Sequence, residues 1–413
     1  MIASQERARQ TVERAARESY GRLLAFLAAR TRDVAGAEDA LAEAFASALQ
    51  AWPVDGVPDN PAAWLLTVAR RRHTDALRRR LTRAAGKAHI QLMADELEDA
   101  ARHVDDIPDR RLALMFACGH PAVERGMRAP LILQTILGLT AQEIASAFLI
   151  SPATMGQRLV RAKARLKETG ASFAIPEREE LPERLDAVLE AIYAAYAKAW
   201  SEMDAGTSPL ADEAIWLGRL VVSLLPDQPE AKGMLALMLY TEARRQARRD
   251  SAGNYVPLDQ QDIALWDDWQ IDMAEALLDE ANAGGPSGRY QIEAAIQSAH
   301  VARRRGSPAT WPAIVALYTH LEALTGSPVV SLNRAVALAE IHGPETALVI
   351  LDGLADDKRM ADYQPYWAAR GHLLARAGRR SDAYGALTLA MGLSTDDAVR
   401  SYLLAQRAAL QAD

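Results

Sequence analysis

Hydrophobic residues recur every three to four positions along most of this 413-residue chain, which is the spacing of one face of an α-helix. The apolar positions hold alanine and leucine more than β-branched residues, and this choice also favours helices. From about residue 185 onward, nearly every segment keeps the helical period. The pattern therefore predicts an all-α protein, and the length predicts two or three domains.

A basic helix is predicted to begin at Asn60, because asparagine is a good N-cap and Pro61 suits the first helical position. One face of this helix is apolar and the opposite face combines an indole with several cations. Cations can neutralise phosphates, and an indole can stack on an unpaired base with a gain of about 1–3 kcal/mol. The alternative is a solvated arginine-rich face with the indole partly packed. The polar face and its flank carry Trp64, Arg71, Asp75, Arg78 and Arg79.

A second basic helix follows a short one, in a helix-turn-helix pattern. Thr140 and Glu143 form a predicted capping box, and Ser151 with Pro152 starts the next helix. Such a second helix enters the major groove by its N-terminal end, where arginine can bond guanine and glutamine can bond adenine. A plain helical hairpin is the alternative, and the turn lacks the frequent glycine. The buried stripe is predicted as Met155, Leu159, Ala162 and Leu166, and the DNA-facing residues as Thr154, Gln157, Arg158, Arg161, Lys163 and Arg165.

Residues from about 10 to 170 resemble an extracytoplasmic-function (ECF) sigma factor. The second-domain pattern of that family is visible in Ala37-Glu38-Asp39-Ala-Leu-Ala-Glu43-Ala-Phe45 and in Asn60-Pro-Ala-Ala-Trp64. The fourth-domain pattern is visible in Gly138-Leu-Thr140-Ala-Gln-Glu143-Ile-Ala and in Gln157-Arg158-Leu-Val-Arg161-Ala-Lys163. The long extension resembles a subgroup with a C-terminal tetratricopeptide-like domain. The resemblance implies sigma domain 2 at 10–82, a linker at 83–107, sigma domain 4 at 108–170 and a helical regulatory domain at 181–413.

The resemblance also implies a function without catalysis or cofactor. Such proteins bind core RNA polymerase, contact the promoter −10 element with the second domain and the −35 element with the fourth, and help open the duplex. The first basic helix would then serve −10 and the second −35. The polymerase-binding positions would be Asp39, Glu43 and Phe45; the two acids lie one helical turn apart, which suits a basic partner. Phe45 also falls on the inward side of its helix, and Ala42 stands where the family often has glutamine.

Charge divides unevenly along the chain, which carries −7 overall. Residues 1–175 contain 25 basic and 20 acidic residues, a net +5, and the remaining 22 basic and 34 acidic residues give −12. A basic head beside an acidic tail predicts that only the head contacts DNA. An acidic tail that covers the head by mimicking nucleic acid is the alternative to a merely solvated acidic surface.

Several features narrow the class of protein further. No apolar run is long enough to cross a bilayer, and the N-terminus does not resemble a signal peptide, so a cytoplasmic protein is expected. A single cysteine excludes an intramolecular disulfide framework. Cys118-Gly-His120-Pro invites a metal interpretation, but it lacks the further ligands of a zinc site, so Cys118 is expected to be a small buried residue.

The tail shows a weak internal repeat. A step of 36 residues aligns Ala335 with Gly371 and Ala347 with Ala383, at positions where small residues let paired helices approach. A second unusual segment runs from Arg244 through the tryptophans at 266 and 269, and is either a groove for a peptide or small molecule or a loop held by aromatic packing. Three functions stay open: a sigma factor with a regulatory tail, a helix-turn-helix regulator independent of polymerase, and a helical-repeat scaffold.

Overall fold

The computed structural model describes residues 2–81, 110–148, 150–170, 173, 176–177, 180–201, 208–283, 287–302 and 310–412. The linker expected at 83–107 lies outside these residues. All the long regular elements in the described ranges are helices, so the predicted all-α fold is confirmed. The chain divides into two compact units, Met1–Ala195 and Tyr196–Asp413.

The first unit begins with three helices: α1 Ile2–Thr31, α2 Val34–Asp55 and α3 Pro61–Leu81. Each packs against the other two, and fully buried leucines fill the space between them. Asp33 starts α2, because its carboxylate accepts a hydrogen bond from the Gly36 backbone N–H at 3.0 Å. The buried leucines include Leu23, Leu24, Leu27, Leu41, Leu65 and Leu66.

Four further helices complete most of this unit: α4 Arg111–Cys118, α5 Arg125–Leu137, α6 Ala141–Ala147 and α7 Pro152–Thr169. Helix α5 ends at Gly138, whose φ of 66° is a left-handed C-terminal conformation that glycine adopts without strain. Helix α1 packs against α4 and α5, and α2 packs against α7. The three-helix group and the helix-turn-helix group therefore lie in direct contact within one unit.

Helix α8, Leu181–Ser201, contains the boundary between the two units. In the second unit, most helices pack against the next helix along the chain. Their bounds are α9 Pro209–Leu224, α10 Pro229–Glu242, α11 Asp268–Asn282, α12 Arg289–Val301, α13 Trp311–Thr325, α14 Pro328–His342, α15 Pro344–Gly353, α16 Lys358–Ala361, α17 Gln364–Arg376, α18 Arg380–Leu393 and α19 Asp397–Ala412.

The 36-residue step found in the sequence is present in the helices themselves. Helices α14 and α15 begin at residues 328 and 344, and α17 and α18 begin at 364 and 380. Ala347 and Ala383 are both fully buried, and a Cβ on Gly371 would lie 2.8 Å from two Leu387 side-chain carbons. A side chain at Gly371 would thus push α17 away from α18, which explains the glycine at this crossing.

Candidate nucleic-acid interface

Helix α3 starts as its sequence predicts. The Asn60 side chain accepts a hydrogen bond from the Ala63 backbone N–H at 3.0 Å, and Pro61 is the first helical residue. Leu65, Leu66 and Ala69 are fully buried against the other two helices of the group. Burial of this stripe leaves the opposite side of α3 facing outward.

The outward side of α3 contains one aromatic and several charged positions. Trp64 is half-buried, with its indole edge-on to the fully buried Trp52 at 5.5 Å between ring centroids. Arg71 and Asp75 are exposed, and the side chains of Arg78 and Arg79 lie outside the described part of the structure. The half-exposed indole thus lies on the same helix as an exposed guanidinium, two turns away.

Helix α2 presents an acidic face beside this surface. Asp39 and Glu43 are exposed one turn apart, and Glu43 lies 3.5 Å from the guanidinium of Arg72 on α3. Both members of that ion pair are about half exposed, so it contributes little to stability. Phe45 is half-buried and stacks on Tyr20 at 6.5 Å between centroids, so part of this ring packs within the domain.

The helix-turn-helix forms from the local signals in its sequence. Thr140 and Glu143 make both hydrogen bonds of the capping box at the start of α6, and Ser151 caps α7 through the Thr154 backbone N–H. The predicted stripe of Met155, Leu159, Ala162 and Leu166 is buried. Burial of that stripe fixes which side of α7 faces away from the domain.

The outward side of α7 contains most of the predicted DNA-facing residues. Gln157, Arg161 and Arg165 are exposed, while Thr154 and Arg158 are partly exposed. The Arg165 guanidinium also lies 3.2 Å from Glu168 on the same helix. Lys163 points elsewhere: its side chain is 14% exposed and its ammonium lies 2.5 Å from Glu38 on α2.

A second ion pair joins the same two helices. The Lys167 ammonium, one turn beyond Lys163, contacts the carboxylate of Asp33. Burial acts to raise the pKa of Asp33, but hydrogen bonds from Lys167 and from the Gly36 N–H outweigh it and lower that pKa. Burial raises the pKa of Glu38 despite its lysine partner. The contact therefore brings two partly buried carboxylates of one domain onto two lysines of the other.

The sequence pattern did not indicate the structural role of Arg128. Its guanidinium is buried and donates to the carbonyl oxygens of Val123 at 3.0 Å, Pro121 at 3.2 Å and Glu183 at 3.2 Å, and to the Glu183 carboxylate at 3.3 Å. These contacts fix the loop before α5 and attach the first turn of α8 to it. A buried arginine has no distinct sequence signal.

Cys118 is fully buried, as expected, and its thiol lies 3.6 Å from the Thr135 hydroxyl. Burial raises the pKa of this thiol to about 12, so it is neutral and unreactive near neutral pH. No group of three or more potential metal ligands occurs among the described residues. Within the same residues, no helix is long and apolar enough to span a membrane.

The arginine-rich segment of the tail forms an internal cluster. Arg244 is buried and donates to the Gln297 side chain at 2.5 Å, and burial lowers its pKa to about 10. Arg248 stacks over the Trp200 ring at 4.8 Å, and Arg249 pairs with Asp396. These arginines therefore connect distant parts of the second unit to one another.

The two tryptophans after this cluster have different environments. Trp266 is buried, whereas Trp269 is 59% exposed with the Arg219 guanidinium 5.8 Å from its ring. Tyr255 packs edge-on against Tyr402 at 5.4 Å. Aromatic packing thus holds the loop between α10 and α11, and the exposed indole is left on the surface.

The first unit combines two basic helices, α3 and α7, with an acidic helix, α2, and these helices fall in segments that match two sigma-70 regions. Residues 16–82 match sigma-70 region 2, and residues 123–166 match sigma-70 region 4. The chain is 31% identical over 165 residues to the probable RNA polymerase sigma factor RfaY of Xanthomonas campestris pv. campestris, covering 36% of this chain and 40% of that one. The chain therefore contains a sigma-70 region 2 and a sigma-70 region 4, and this order fits the architecture of extracytoplasmic-function sigma factors.

The likeness extends beyond the sigma regions. The chain is 38% identical over 401 residues to an uncharacterized protein of Rhizobium meliloti, covering 94% of this chain and 92% of that protein. Residues 184–282 match a family of unknown function, DUF6596. No solved structure matches the chain. The sigma regions and the extension thus occur together in a relative of nearly equal length.

Proposed function

We propose that this chain binds core RNA polymerase and directs it to specific promoters. The observation that carries the proposal is the pair of basic helices, α3 and α7, each in a segment that matches a DNA-contacting region of sigma-70 factors. Each helix is capped, buried on one side and charged on the other. The acidic face of α2 supplies a third surface, suited to a basic site on the polymerase.

Each surface has a distinct role in this proposal. Asp39 and Glu43 dock the polymerase, with Phe45 contributing the exposed part of its ring. The α3 residues Trp64, Arg71, Asp75, Arg78 and Arg79 engage the −10 element, where the indole stacks on an unpaired base. The α7 residues Thr154, Gln157, Arg158, Arg161, Lys163 and Arg165 read or hold the −35 element, by base-edge and phosphate contacts.

Reconstituted transcription tests the proposal. The purified full-length chain is mixed with cognate core polymerase and genomic DNA fragments, and transcript 5′ ends are mapped. We expect starts at a small set of sites that share two sequence elements. Sequence-specific DNA binding by the free chain, with no core binding and no transcripts, would identify a polymerase-independent regulator instead. Absence of both DNA and core binding would identify a scaffold.

Charge reversal tests the docking surface. Replacing Asp39 and Glu43 by lysine places like charges opposite a basic partner, which costs several kcal/mol. We expect core affinity to fall by at least about tenfold, because 1.4 kcal/mol corresponds to a factor of ten. The control is Asp59→Lys, a reversal at another exposed acid of the same domain. Equal affinity of all three proteins would remove docking from α2.

We further propose that the tail modulates the sigma domains. Covalent attachment makes any contact intramolecular, with an effective concentration near millimolar for a short flexible linker. A tail that braces the sigma domains is favoured over one that masks DNA contacts, because its apolar helix pairs form a structural platform. Removal of the tail is predicted to lower promoter-dependent transcription. The chain should be cut after Ser201, at the end of α8, rather than after Thr169, at the end of α7, because Glu183 on α8 contacts Arg128 of the sigma region 4 domain. Equal transcription across a range of concentrations would show that the tail serves an outside partner only.

A further inference from the structure

Two ion pairs connect the sigma region 2 and region 4 domains through α2 and α7. Lys163 and Glu38 are each 14% exposed, and Asp33 is 12% exposed beside the half-exposed Lys167. Ion pairs this shielded from water are screened less than surface pairs. The packing of α1 against α4 and α5 adds apolar contact to the same junction.

Both sides of this junction belong to functional surfaces under the proposed function. Glu38 directly precedes the docking residue Asp39, and Lys163 lies on the helix that contacts the −35 element. An ammonium bonded to a carboxylate cannot at the same time neutralise a phosphate. The acidic start of α2 and the lysine edge of α7 therefore occupy each other in this structure.

The contact between the two domains is incompatible with simultaneous binding of both promoter elements, because of the distance between those elements. The −35 and −10 elements lie about 25 base pairs apart by their names, or roughly 85 Å at about 3.4 Å per base pair. DNA of that length does not fold back, because its persistence length is about 150 base pairs. A compact unit of 195 residues has a radius of gyration of about 16 Å and is roughly 40 Å across. Two domains in contact within it cannot reach both elements.

We propose that the acidic start of α2, Asp33 with Glu38, is a docking surface for the lysine edge of α7, and that this ionic latch holds the free protein closed. The inference rests on the proposed function. The latch must release before the two domains can separate to the spacing of a promoter. A basic polymerase surface arriving at Asp39 would compete for the same acidic edge and so favour release.

Energy transfer between two dyes on the free, full-length protein tests the latch. Cysteines replace Val54 at the end of α2 and Val160 on α7, which are 83% and 67% exposed, and the buried Cys118 stays unlabelled. Wild-type pairing should give mainly the closed, high-transfer state. Glu38→Lys or Lys163→Glu should lower the closed-to-open ratio by about ten- to a hundredfold, because attraction becomes repulsion. The double reversal should restore it.

A matched control uses the ion pair within α7. Reversing both Arg165 and Glu168 rearranges charge on the same helix without touching α2, so transfer should not change. Circular dichroism and thermal melting establish that each variant is folded, and Lys167→Glu, at a more exposed position, gives a milder second variant. Unchanged transfer in folded single reversals, or a double reversal that fails to recover it, would overturn the latch.

A second measurement separates the latch from the proposed function. The dye measurement on free protein needs neither polymerase nor DNA, so a failure to transcribe leaves the latch result readable. Adding core polymerase and promoter DNA to the labelled protein should abolish high transfer. Retention of high transfer in a complex that contacts both promoter elements would show that opening is not required.

Discussion

Replacement of Arg128 by methionine should lower the local stability of α5 and of the loop that precedes it. Methionine keeps an unbranched apolar stem of similar reach, but it donates no hydrogen bond. The four hydrogen bonds from the guanidinium to Val123, Pro121 and Glu183 are all lost. Three of the acceptors are backbone carbonyls, which must then turn to water or stay unsatisfied.

The magnitude follows from these contacts. An unsatisfied buried acceptor costs about 1–3 kcal/mol, so three carbonyls could cost roughly 3–9 kcal/mol. Removal of the buried guanidinium recovers part of its desolvation penalty, which is several kcal/mol per ion. The Glu183 carboxylate is 60% exposed, and its pairing adds little. The expected net loss is about 2–4 kcal/mol of local stability.

Amide hydrogen exchange on the full-length chain measures this loss at the right place. A loss of 2–4 kcal/mol corresponds to exchange faster by roughly 30- to 1,000-fold for α5 amides that exchange by local opening. Glu183→Ala should change exchange by less than about fivefold, because it removes only the exposed partner. An Arg128→Met variant whose α5 protection equals that of wild type would refute the assignment of these hydrogen bonds as the support of the loop.

Three other outcomes are expected. Arg158→Ala or Arg161→Ala should each reduce −35 discrimination by about 1–3 kcal/mol, measured by competition with mutated promoters, while Val160→Ala on the same helix should not. In a permanganate footprint, Trp64→Phe should open the promoter as wild type does, and Trp64→Ala should make the free energy of opening less favourable by about 1–3 kcal/mol. A loss of opening no larger than the loss of folding stability would show that the indole serves only in packing. The lowered pKa of Asp33 means that its stabilising effect is complete above the ordinary pKa of 3.8 and is lost as pH falls through the native value. Since asparagine keeps the N-cap but not the charge, the stability deficit of Asp33→Asn should be largest near pH 6 and shrink towards pH 2 in denaturant titrations; a deficit independent of pH would contradict the ion pair.

Local signals in the sequence predicted the starts of three helices in the sigma domains: α3, α6 and α7. Asn60, Thr140 and Ser151 each act through a side chain that bonds a backbone N–H within three residues, so the cause lies beside its effect in sequence. The buried stripe of α7 was predictable for the same reason, because helical periodicity is local. The 36-residue step in the tail was visible because equal spacing produces equal helix pairs.

The contacts between domains could not be predicted in this way. Lys163 and Lys167 have the pattern of ordinary solvated cations on a helix, and their partners lie 125 and 134 positions away. Opposite charges are abundant on both domains, so the sequence offers many possible pairs with no reason to choose one. Arg128 was missed similarly, because three of its hydrogen bonds go to backbone carbonyls, which every residue has.

The pairing of Arg249 with Asp396 changes how the tail should lose its structure. Stacked helix pairs usually contact only their neighbours, so such arrays fray from their ends one repeat at a time. Here Arg249, in the loop after α10, is bonded to Asp396, directly before the last helix and 147 positions away, and Tyr255 of the same loop contacts Tyr402. Fraying at the C-terminal end must therefore break contacts with a loop that lies early in the unit. The second unit should therefore melt in one cooperative transition, and damage to its last helix should be felt throughout the unit.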